Sequence, residues 1–230
     1  MTFLKHNHVS LRQLSDKTLA FLVSLLLVFV LAAPFAPATT VLAENTSSHK
    51  SSVTDEPKLT EATTAIVTDA QGNVLWSKNP DQELPMASIT KVMTAIVALD
   101  SGVNLDEPCE ITVPDLEEGS QVACLTSDDT PTLRQLIMMM LVYSANDAAY
   151  NIAVNVSGSQ QAFVDQMNKK AAEIGMTHTQ FQNPHGLDAN GHYSTARDLA
   201  LIGRYAREHY PLIASAVHTR SYTTTVGGEQ

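Results

Sequence analysis

Two short segments of this chain place reactive side chains where they could cooperate. In Ser88-Ile89-Thr90-Lys91 the serine and the lysine are three apart, which on a helix puts both on one face, one turn from each other. A serine hydroxyl is a weak nucleophile at neutral pH, and a lysine whose pKa is lowered by burial can take its proton. The apolar run after Lys91, up to Leu99, supplies such burial. Alone, the pattern is also what a helix cap followed by a solvated lysine looks like. The second segment, Tyr143-Ser144-Ala145-Asn146-Asp147, separates two helical runs at the end of the most hydrophobic stretch of the folded part. A polar turn there either caps a helix through Ser144 or Asn146 or lines a cleft. The two segments together are more specific than either.

Several elements must hold these residues. Ala65 to Thr68 and Val74 to Trp76 flank the turn Ala70-Gln71-Gly72-Asn73, which predicts a β-hairpin. Ser88 is placed to start a helix that Gly102 stops. Glu110 to Val113 and Gln121 to Leu125 read as short strands, and Thr132 to Val142 as a helix buried on all sides, with Met138, Met139 and Met140 as core filler. Asp147 to Val156 is helical in composition. Ser159 to Ile174 carries Phe163, Met167, Ala171 and Ile174 at helical spacing, with Gly175 as its stop. After the loop Met176 to Tyr193, Ser194 is a good N-cap for a helix from Thr195 to His209, and Thr219 to Val226 reads as a strand.

Composition excludes several classes. The 230 residues are 44% hydrophobic and 17% charged, unlike a disordered chain or a small disulfide scaffold. A net charge of −10 gives no basic surface to neutralise phosphates, so nucleic acid is not an expected partner. Residues 1–43 read as a targeting segment: Lys5, Arg12 and Lys17 precede the apolar run Leu19 to Ala33, and Val41-Leu42-Ala43 offers a cleavage site. It is a signal peptide or, uncleaved, an anchor, and in the second case the only expected contact with a membrane. Residues 44–61, rich in Ser, Thr and charge, read as a flexible linker, with the folded part from about Ala62. Export places the rest in the cell envelope or on the outer face of the cytoplasmic membrane. In that compartment Cys109 and Cys124, on two strands joined by a polar loop, are expected to form a disulfide; two free buried thiols are the alternative. No metal is expected, because His178, His185 and His192 fall in a loop where their regular spacing of seven has no helical meaning.

Five segments in order resemble the low-molecular-mass penicillin-binding, serine-type D-alanyl-D-alanine carboxypeptidases. They are Ala87 to Ala95 (ASITKVMTA), Ser144 to Ala149 (SANDAA), Phe163 to Asn168 (FVDQMN), Asn183 to Asp188 (NPHGLD) and His192 to Ala200 (HYSTARDLA). The resemblance spans roughly Ala62 to Val226. It implies an α/β (α+β) fold of the β-lactamase and penicillin-binding transpeptidase type, a helical cluster with an antiparallel sheet. It also implies that Ser88 attacks the penultimate D-alanine carbonyl of a peptidoglycan stem peptide and forms an acyl-enzyme. Lys91 is then the general base, Ser144 the proton shuttle, and Asn146 a substrate ligand that also positions Lys91. β-Lactams are implied as covalent inhibitors, and no cofactor is.

One part of the family pattern is missing. Its third motif, Lys-Thr-Gly, has no counterpart, since the lysines after Ser144 are Lys169 and Lys170 in Asn-Lys-Lys-Ala. The expectation is therefore an incomplete carboxypeptidase domain over residues 62–230, lacking the C-terminal sheet strands and weakly active or inactive. A serine β-lactamase is an alternative, but none of Glu173, Glu208 and Glu229 has an asparagine four residues on, as that enzyme's E-x-x-x-N loop needs. A catalytically silent envelope-binding module is the other.

Overall fold

A hairpin opens the folded part in the computed structural model, which describes residues 60–226. The targeting segment and almost all of the linker lie outside those residues. Strands β1 (Ala65–Thr68) and β2 (Val74–Lys78) pair antiparallel, with Ala65 opposite Lys78 and Val67 opposite Trp76. Asp69 builds the turn by accepting the amides of Gln71 and Asn73 on one carboxylate oxygen.

Six helices follow: α1 (Thr90–Asp100), α2 (Leu133–Tyr143), α3 (Asn146–Ser157), α4 (Gln160–Ile174), α5 (Ala196–His209) and α6 (Pro211–Ala216). α1 packs against α2, α3, α4 and α5, so its side chains from Met93 to Ala98 lie at the centre of the core. The hairpin lies over α5, where Ile66, Thr68 and Val74 share a shallow pocket with Arg197, Ala200, Leu201 and Arg204.

Local chemistry accounts for the helix ends. Thr132 and Gln135 form a reciprocal capping box at α2, and Ser159 caps α4 by accepting the Ala162 amide. Ser88 does not cap α1, because it sits inside a 3-10 turn, Ala87–Ile89, that leads into the helix. The cap of α5 is Thr195, one residue after the expected Ser194. Ser194 exchanges backbone hydrogen bonds with Leu84 instead, which takes it out of the capping position. α2 is not buried on all sides. Leu133, Leu136, Ile137 and Met140 form one buried stripe, while Arg134, Met138, Met139, Leu141 and Val142 are only half-buried.

Three expected strands are absent, for a common reason. The segments 110–113 and 121–125 are held by side chains of α3 rather than by each other. Asp147 accepts the amides of Ala123 and Leu125 on its two oxygens. Asn151 accepts the Thr112 amide and donates to the Thr112 carbonyl, and Asn155 makes the same pair of bonds with Glu110. Asp147, Asn151 and Asn155 are four apart, a rise of about 6 Å per step, close to the roughly 6.6 Å between alternate residues of an extended chain. One helix row thus does the work of a neighbouring strand. Residues 219–226 likewise form no strand, and Gln135 holds them through Thr224 Oγ1 and the Thr225 carbonyl.

The same arrangement separates the cysteines. Without two paired strands to bring them together, both thiols are free, Cys109 buried and Cys124 exposed. The Cys109 amide donates to the Pro131 carbonyl, which ties it to the start of α2 rather than toward Cys124. Burial pushes the Cys109 thiol up to about 11. Native protein treated with iodoacetamide should be alkylated at Cys124 and not at Cys109 until denaturant is added. A two-hydrogen mass change on reduction would contradict the free thiols. Asn151→Ala should lower stability by about 2–4 kcal/mol, because it strips a fully buried amide that holds both backbone polar groups of Thr112. Asn155→Ala, at a more exposed position, should cost about 1 kcal/mol or less, both read from urea unfolding midpoints.

Candidate active site

The turn before α1 presents Ser88 to solvent. Ala87 has φ of +47° there, and the Ser88 amide has no hydrogen-bond acceptor among the described residues. One helical turn on, Lys91 Nζ lies 3.0 Å from Ser88 Oγ. The second reactive segment arrives from the junction of α2 and α3. Ser144 ends α2 in the left-handed region with φ of +63°, and Ala145 is extended, so the chain reverses sharply enough to bring Ser144 over the turn. Ser144 Oγ donates to Ser88 Oγ at 2.9 Å. The two serines and the lysine thus form one hydrogen-bonded trio.

Lys91 is 2% exposed. Burial lowers its amine to about 8, so a usable share is free base near neutral pH. A buried amine also needs acceptors, and the one it finds beyond Ser88 is the His185 carbonyl, at 2.6 Å. That carbonyl belongs to the loop Asn183-Pro184-His185-Gly186-Leu187. Asn183 closes the loop on itself, accepting the amides of His185 and Gly186 and donating to the Leu187 carbonyl. Gly186 has φ of +92°, and a Cβ there would lie 2.1 Å from the Ala87 carbonyl oxygen. Only glycine lets the loop approach the serine turn this closely.

Asn146 is the one expected site residue outside the trio. It begins α3 at 5% exposure, its amide donates to the Gln121 carbonyl, and its side chain has no hydrogen-bond partner among the described residues. The expected contact with Lys91 is therefore not made: the His185 carbonyl takes that place because it reaches Nζ directly. Sequence reasoning missed this acceptor, as well as Thr90 and Thr94 on the same face of α1. Thr94 Oγ1 donates to the Pro184 carbonyl at 2.6 Å, and Thr90 Oγ1 meets His192 Nε2 at 2.9 Å. Two threonines flanking a lysine in an otherwise apolar helix were the available signal.

Residues 50–227 match the family Peptidase_S11, D-alanyl-D-alanine carboxypeptidase. The chain is 32% identical over 187 residues to the D-alanyl-D-alanine carboxypeptidase DacF of Bacillus subtilis, covering 80% of this chain and 46% of that protein. It is 40% identical over 161 residues to a D-alanyl-D-alanine endopeptidase of Pseudomonas aeruginosa, covering 65% and 48%. Among solved structures, penicillin-binding protein D2 of Listeria monocytogenes in its cefotaxime-bound form superposes with a TM-score of 0.64 at 30% identity, covering 73% of this chain and 70% of that one. The chain spans about half the length of these two curated relatives. The family match takes in the Ser88 turn, the Ser144 junction and the loop that holds Lys91, and the chain belongs to the D-alanyl-D-alanine carboxypeptidase family.

Proposed function

We propose that Ser88 is the nucleophile of a penicillin-sensitive serine D,D-carboxypeptidase that acts on peptidoglycan stem peptides in the cell envelope. The observation that carries this reading is the Ser88, Lys91 and Ser144 trio with its buried, weakened amine. Neutral Lys91 takes the Ser88 proton as Oγ bonds to the carbonyl carbon of the penultimate D-alanine. The Ser88 amide, which has no acceptor among the described residues, donates to the oxyanion. When the tetrahedral adduct collapses, the C–N bond breaks and the departing D-alanine amine receives a proton from the Lys91 ammonium through the Ser144 hydroxyl. Water then hydrolyses the ester on Ser88. Asn146, buried with its side-chain amide unpaired among the described residues, is assigned to the peptide backbone of the substrate. A β-lactam enters by the same attack and stays as a stable ester. The cefotaxime-bound Listeria structure supports that, as the relatives' names support the substrate class.

The 40% identity to the Pseudomonas endopeptidase favours one second reading, cleavage of the same kind of bond within a cross-link between two stem peptides. Comparing release of D-alanine from a linear stem pentapeptide with scission of a cross-linked dimer distinguishes the two. The 230 residues contain no Lys-Thr-Gly. In the resemblance that motif supplies a cation for the substrate carboxylate and lies on the strand that gives a second oxyanion donor. Loss of one such donor costs about 10²- to 10³-fold in rate, so a form without that motif should turn over slowly.

The test is covalent labelling with a fluorescent penicillin. A slow, stable label on a Ser88 peptide is expected. Rapid release would indicate a β-lactamase, and no label at all would indicate a silent binding module. Ser88→Ala should abolish labelling and Lys91→Ala should slow it by about 10²- to 10⁴-fold. The labelling rate should climb as pH rises through about 8 and level off above it, because the free amine is the base. A flat profile across that range would remove Lys91 from the role.

A further inference from the structure

The loop that holds Lys91 is itself held, and the residue that holds it is a histidine with no place in the reaction above. His192 is buried, as are Thr90 and Lys91 on α1. Its Nδ1 accepts the Gln182 amide at 3.0 Å. With that nitrogen accepting, the neutral ring carries its proton on Nε2, which faces Thr90 Oγ1 at 2.9 Å and donates to it. His192 therefore ties Thr90, next to Lys91 in α1, to Gln182, the residue just before the Lys91-binding loop. The Phe181 ring packs edge-on against the imidazole, with centroids 6.0 Å apart, and fixes its plane. The loop has two further ties to the same helix face, Thr94 Oγ1 to the Pro184 carbonyl and Lys91 Nζ to the His185 carbonyl. Of these three ties, the His192 one runs through a side chain outside both α1 and the loop.

We infer that His192 is a positioning residue for the Lys91 amine. As the neutral Nε2–H tautomer bridging Gln182 and Thr90, it keeps the His185 carbonyl seated on Nζ and water away from it. The inference rests on the reading of Lys91 as the base only for its catalytic consequence. The link from Thr90 through His192 to the loop is a matter of geometry and can be measured on the amine itself. If the bridge is cut, the loop loosens, water reaches Nζ, and the amine returns toward the ordinary lysine range. The charged and titratable groups around the bridge are Lys91 on α1, His185 within the loop, and Asp188, whose charge acts on His192. Burial lowers the pKa of both histidines, which agrees with each ring accepting a backbone amide on Nδ1, from Leu187 for His185 and from Gln182 for His192.

The experiment is an NMR titration of the Lys91 side chain in the full chain carrying 13C at lysine Cε, with the signal assigned by its loss in Lys91→Arg. Thr90→Val keeps the volume of the buried side chain but removes the acceptor. It should move the Lys91 titration upward by about one unit or more and so cut the free-base fraction at neutral pH about ten-fold. His192→Phe should do the same. Thr90→Ser, which keeps the hydroxyl, should restore the wild-type titration. His192→Gln should restore most of it, because the amide O and N are spaced like the two ring nitrogens. The double variant Thr90→Val with His192→Phe should shift no further than either alone. A merely structural role would lower the unfolding midpoint of these variants and leave the Lys91 titration in place, and that result overturns the inference. If His192→Phe does not fold, Thr90→Val against Thr90→Ser decides. Absence of penicillin labelling in the wild type would overturn the functional reading while the titration still reports on the bridge.

Discussion

A lysine amine buried in a helical core must be given hydrogen-bond acceptors without being given a carboxylate, because a carboxylate would fix it as an ammonium. Around α1 this constraint is met by a neutral backbone carbonyl, that of His185, and by the Ser88 hydroxyl. Burial holds the Lys91 amine well below the ordinary lysine range. Once a loop carbonyl has to reach the middle of a helix face, much else is set. The loop needs a glycine where it crosses the Ala87 carbonyl, an asparagine to close it, and threonines on α1 to receive it. The central position of α1, touched by four other helices, is what makes the burial deep enough to matter.

The serine turn obeys a different demand. Ser88 has to be open while Lys91 is closed, only three residues away. The 3-10 turn solves this by rotating the nucleophile outward before the α-helix begins, so Ser88 is exposed and Thr90 already fully buried. Ser144 meets Ser88 from the other side because its own backbone is left-handed, a conformation that costs a non-glycine residue about 1–3 kcal/mol. The buried contacts of α2 and α3 on either side of the junction offset that cost.

What could be read from the residues follows the range of the interactions involved. The hairpin and the helices α1 to α5 were legible because period and capping are local, and so was the Ser88 and Lys91 pair, which needs only one turn. The strands at 110–113 and 121–125 were misread because alternation reports an extended backbone, not what it bonds to. Here the partner is a row of side chains on α3. The all-round burial of α2 was misread because apolar content says nothing about how many neighbours arrive. At the site, the seat of Lys91 was illegible for a simpler reason. A main-chain carbonyl carries no signature in sequence, and the His185 side chain that names the position is not the group that does the holding.

The helix row on α3 bears on how the molecule comes apart. In a sheet, an extended segment can peel away with its partner strand and leave the helices standing. The segments bound to Asp147, Asn151 and Asn155 have no such partner, and their amides at Glu110, Thr112, Ala123 and Leu125 are held by side chains rooted in α3. Opening of these loop amides is thereby coupled to the side chains of α3, although no regular element contains them. The long connection between α1 and α2 is thus tied thermodynamically to α3, and α3 begins with Asn146, directly after the Ser144 junction. Rigidity of the connection and rigidity of that side of the site are one property.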